Sequence, residues 1–102
     1  MSVKVCPLPN SVVPAQSIEV AWEGGQFVLI VAAKGLLACG VVDPVVMNRF
    51  GAAVAVARGT VERPLVTADD LLQARIAEVT DAAQARGITP GMSGTEALQR
   101  LG

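Results

Sequence analysis

A thiol and a carboxylate stand close together in the stretch Cys39-Gly40-Val41-Val42-Asp43-Pro44, and they are the chain's leading candidates for chemistry. The apolar run before Cys39 and the Asp-Pro pair after it place both groups where a strand runs into a helix, a common position for sites in mixed folds. There Cys39 would serve as nucleophile and Asp43 as acid–base group. Each also has a plain structural reading: Cys39 as a small buried hydrophobe, and Asp43 as a helix cap accepting a backbone amide. Arg58, just before Gly59, is a candidate anion ligand or a salt-bridged edge residue. The turn Gly91-Met92-Ser93-Gly94 opens a last helix with backbone amides, so Gly91, Ser93 and Gly94 are candidate ligand-binding positions, with ordinary turn chemistry as the alternative.

Other chemistry is removed by what the chain lacks. It contains no histidine, which excludes Ser-His-Asp and Cys-His pairs, histidine bases and histidine metal ligands within one chain. Cys6 and Cys39 are too few and too far apart for a zinc motif, so no metal site is expected. Gly35 and Gly40 have the outer spacing of a phosphate loop, but Val41 and Val42 stand where Lys and Ser or Thr are required, so no nucleotide cofactor is expected.

A chain of 102 residues has room for one core, and 52% hydrophobic content with only 3% aromatic makes that core a packing of Val, Ala and Leu. Charged residues are 17%, below the roughly 25% usual for such domains, and mean hydropathy is +0.51, so the chain has more apolar surface than a lone small sphere can hide. That excess predicts self-association. The net charge of −1 and scattered Lys and Arg disfavour nucleic acid and anionic membrane as partners. The apolar region Phe27 to Val42 is divided by Lys34 and Gly35, short of the roughly 20 residues of a membrane span, and two cysteines without a signal segment place the chain in the cytoplasm.

Residues 1–16, with Pro7, Pro9 and Pro14, read as an extended arm ahead of a single domain at 17–102. Ile18, Val20 and Trp22 alternate with polar or small residues, which predicts a strand with Trp22 anchoring its core face. Gly24-Gly25 turns into a second strand from Phe27 to Val31, and Lys34-Gly35 into a third from Leu36 to Val42; the unbroken apolar runs predict cover on both faces of both. Asp43-Pro44 starts a short helix closed by Gly51, and Ala52 to Ala57 is a buried strand. Thr67 and Asp70 form a capping-box pair that opens a helix. Leu72, Ile76, Val79 and Ala83 keep helical spacing, yet Thr80 is also suited to cap a new helix ending at Gly87, which leaves 75–79 open between helix and strand. Thr95 to Leu101 returns to a helical pattern.

In this order, Lys34-Gly35, Cys39-Gly40 with Asp43, Ala52 to Gly59, Leu71-Leu72, Val79-Thr80, Gly87-Ile88 and Gly91-Met92-Ser93-Gly94 with Glu96-Ala97-Leu98 resemble the YunC-like domain family of bacterial and archaeal proteins of unknown function. The resemblance implies an α+β fold: an N-terminal antiparallel β-meander, a short helix, a further buried strand and C-terminal helices. It also implies that the N-terminal β region takes part in homo-oligomer formation, and it brings no catalytic residue. Two functions stay open: a non-catalytic homo-oligomeric binding or assembly module, or a small enzyme or ligand-binding protein with a subunit-junction site around Cys39 and Asp43.

Overall fold

The computed structural model describes residues 1–8, 11 and 13–102; Pro9, one of the three arm prolines, lies outside them. The chain is α+β, and its described residues form six strands side by side in sequence order. Three strands form the N-terminal meander: β1 (Ser2–Pro7), β2 (Ala15–Trp22) and β3 (Gly25–Ala32), all antiparallel. Part of the expected arm is therefore the edge strand of the sheet. Pro7 is its last residue, where a missing backbone N–H is tolerated. Trp22 pairs with Gly25 across a two-residue turn, Glu23-Gly24, and the turn's geometry requires Gly24 to take φ +99°.

β4 (Gly35–Ala38) returns antiparallel to β3, and the chain then crosses over through α1 (Pro44–Arg49) to β5 (Val54–Ala57), which lies parallel to β4. Asp43 caps α1 by accepting the Val45 N–H at 2.9 Å, and Pro44 takes the first helical position, as the sequence predicts. The third strand is shorter than expected: after Ala38 only the Cys39 amide continues the ladder, donating to Val28, and the chain turns at 40–42. Thr67 and Asp70 complete the capping box of α2 (Ala68–Gln73). Its two backbone amides, Thr67 first and then Val66, hold the Asp70 carboxyl below the usual carboxylate range.

The apparent helical spacing from Leu72 to Ala83 spans three different elements. The helix stops at Gln73, and Ile76–Val79 form β6, antiparallel to β5. Ile76 and Val79 reach the core from a strand, and Thr80 caps the fresh helix α3 (Asp81–Ala85). Ser93 caps the last helix, α4 (Gly94–Gln99).

The main core lies on one sheet face, between the strands and α2, α3 and α4: Val28, Ile30, Leu37, Ala55 and Ala57 meet Leu71, Ile88, Ala97, Leu98 and Leu101. On the opposite face α1 packs Met47 against Ala38, Val54 and Val56. The double cover expected of the central strands thus holds for β4 and fails for the outer half of β3, where Val31 is exposed. The expected face of β2 is also reversed. Register pairs Ser17 with Ile30 and Glu19 with Val28, so the small and polar residues face the helices, while Ile18, Val20 and Trp22 face away. Trp22 is 49% exposed and packs edge-on against Phe27 with ring centroids 6.1 Å apart. The cause lies in α2, whose first amide, on Ala68, donates to the Glu19 carboxylate at 2.8 Å; a charged residue points inward because a helix end partners it.

Candidate functional site

The parallel pair places the ends of β4 and β5 side by side, and the Arg58 side chain lies over Gly40. Cys39, 7% exposed, lines a shallow depression of about 270 Å³ with Gln26, Gly40, Thr60 and Leu65. Thr60 and Leu65 also line a larger neighbouring cleft that holds Arg58. Sequence reasoning had singled out Cys39 and Arg58 separately, and the structure brings them to one end of the sheet. Arg58 is nevertheless paired, its guanidinium donating to Glu78.

Asp43 is not among the residues of that depression, and its carboxylate is engaged in capping α1. The turn from Gly91 to Gly94 is also engaged. The Gly91 amide donates to the Ile76 carbonyl at 2.8 Å, its own carbonyl accepts from Arg75 at 2.9 Å, the Ser93 hydroxyl accepts the Glu96 N–H, and the Gly94 amide donates to Ala74. These groups hold the last helix to α2 and β6. Among the described residues no group of three or more Cys, Asp or Glu side chains is placed to hold a metal ion, and no helix is long and apolar enough to cross a membrane.

Sequence reasoning missed the loop 60–67 and Arg63 and Arg75, which join Arg58 on the larger cleft. The available signal was basic residues at 58, 63 and 75 around an irregular, proline-containing stretch, but without the fold nothing says that they face one space.

Both thiols are free. Cys39 is buried against the core and Cys6 is exposed on the edge strand, so iodoacetamide under native conditions should modify Cys6 at least about tenfold faster, because access limits a buried thiol. Peptide mass spectrometry against time reads this directly, with equal rates expected in denaturant. Preferential native labelling of Cys39 would instead mark an activated thiol.

The element order, the β-meander and the parallel crossover define a small α+β domain of a single sheet. The family model described as Domain of unknown function (DUF1805) matches residues 38–101, and the chain belongs to that family, which is the one the YunC-like resemblance identified. A solved structure, that of the protein of unknown function TA1206 from Thermoplasma acidophilum, is similar in fold, with a TM-score of 0.87 and 23% identity over 99% of this chain and 94% of that one. No curated protein matches the chain.

Proposed function

We propose that the protein is a non-catalytic homo-oligomeric assembly module of the cytoplasm, whose copies join through the open face of the N-terminal meander. The observation that carries this is the composition of that face. By register it presents Val3 and Val5 from β1, Ile18, Val20 and Trp22 from β2, and Phe27, Leu29 and Val31 from β3, with no charged residue among the positions of that parity. Among the described residues no helix covers it beyond Leu29, which packs toward the cluster under α1, and α1 adds exposed Val45, Val46 and Phe50 on the same side. Seven of these residues are each more than two-fifths exposed, and a standard interface takes roughly 800 Å² from each partner. A second copy is the occupant this favours, since an uncharged face is complementary to itself about a two-fold axis, and the family resemblance assigns assembly to the same region.

Sedimentation equilibrium at micromolar concentration should give a multiple of 10.5 kDa, falling to the monomer mass in a Val5→Glu, Ile18→Glu variant. A wild-type mass near 10.5 kDa defeats the proposal, and an unchanged oligomer in the variant removes this face from it. One point favours the alternative, a small enzyme or ligand-binding protein at a subunit junction: Cys39 does line a depression. The committed carboxylate of Asp43 counts against it.

A further inference from the structure

Between β5 and α2 the loop, with the C-terminal end of α2, walls an open cleft of about 560 Å³. Volumes of about 300–1,000 Å³ are usual for small-molecule sites. Arg58, Arg63 and Arg75 line it, three of the eight basic residues of a chain whose net charge is −1. Three carboxylates stand near them, but among the described residues only one of these is in an ion pair with an arginine. Glu78 takes Arg58, and Asp70 spends one carboxylate oxygen on the amides of Val66 and Thr67. Glu62 is the other acidic lining residue, but among the described residues neither Arg63 nor Arg75 is in an ion pair. The hydrogen bond from Arg75 goes to the neutral Gly91 carbonyl, which fixes the guanidinium without cancelling its charge.

We propose that this cleft binds a small molecule through a carboxylate or phosphate group, gripped by Arg63 and Arg75. Planar guanidinium groups match the paired oxygens of such anions. The Thr60 hydroxyl accepts the Arg63 backbone N–H at 3.0 Å, which leaves its own proton to donate to the ligand. Leu65 and Ala74 supply apolar wall for a carbon skeleton. Because Arg75 and Arg58 are already held by Gly91 and Glu78, less side-chain freedom is lost on binding.

The test is a backbone-amide NMR titration of the full chain at low ionic strength with inorganic phosphate and, separately, citrate. Saturable shifts are expected at residues 60–63, 65 and 73–75, and the tighter probe identifies the group recognised. Arg63→Gln with Arg75→Gln should weaken binding by about tenfold or more, while Arg86→Gln, on the exposed end of α3, leaves it unchanged. Spectra that match elsewhere establish that the double variant is folded. Absence of saturable shifts with both probes, equal binding by the double variant, or shifts spread equally to Arg49, Arg86 and Arg100 would overturn the proposal. None of these readouts depends on the oligomeric state proposed above.

Discussion

Thr80→Val is expected to destabilise the protein by about 2–4 kcal/mol, although valine has nearly the shape of threonine. The Thr80 side chain is 2% exposed, and its one hydroxyl serves three elements. It donates to the Ala52 carbonyl at 2.6 Å and accepts the Val54 N–H at 3.0 Å and the Ala83 N–H at 3.3 Å. Valine leaves the approach to β5 and the first turn of α3 with unmatched backbone groups in a region closed to water, and such orphans cost about 1–3 kcal/mol each. Thr80→Ser keeps the oxygen and loses one buried methyl, so a loss of about 1 kcal/mol is expected. Urea unfolding of the two variants separates the contributions: equal losses would show that the methyl, not the hydroxyl, holds this junction.

The second large effect is expected at Gly94, where the usual helix rule reverses. Alanine in a helix is ordinarily favoured over glycine by about 1 kcal/mol. Here a Cβ would run into the Leu71 carbonyl oxygen and come within 3.0 Å of Leu72 Cα, both backbone atoms of α2 that cannot swing aside. The Gly94 amide donates to Ala74 at 2.8 Å and the Thr95 hydroxyl to Leu72 at 3.1 Å, so the start of α4 is bonded to the end of α2 at the point of crowding. Gly94→Ala must part the two helices or break those bonds, and a loss of about 2–3 kcal/mol is expected. In a domain of this size that lowers Tm by about 10 °C or more. A Tm at or above the wild-type value would mean that the helices have room to separate.

The fold was legible wherever local chemistry decided it. Asp43-Pro44 and Thr67 with Asp70 are short-range devices that lie where the residues indicated, and the turns before β3 and β4, at Glu23-Gly24 and Ala33-Lys34, lie one residue ahead of the glycine signals. The reading went astray where a distant partner decided. Alternation in β2 was visible, but which parity is inward depends on Glu19 meeting the amide end of α2, 49 residues away. The segment 75–79 stays open between helix and strand in the sequence, because its helical spacing is coincidental and it is the pairing with β5 that makes it a strand. For the candidate site, Cys39 and Arg58 were legible as single residues; their proximity is a product of the parallel register and has no local signal. Arg63 and Arg75 stand on either side of α2 in sequence, so only tertiary packing makes them neighbours on one cleft.

The two borders of the sheet differ in a way that limits how copies can add to it. Outside β1 all six residues are exposed, and nothing in the described chain pairs with that margin. Beyond β6 the margin is taken at its start: the Ile76 N–H donates to the Met92 carbonyl and the Gly91 N–H to the Ile76 carbonyl, and Arg75 bridges to Ser93. Among the described residues, backbone pairing between copies therefore has one full-length vacancy per chain, along β1. Two chains that met β1 to β1 about a two-fold axis would use up both vacancies, and growth would stop there as a closed particle instead of running on as a filament. The Gly91–Ser93 turn, besides seating the last helix, thus acts as a terminator of strand addition.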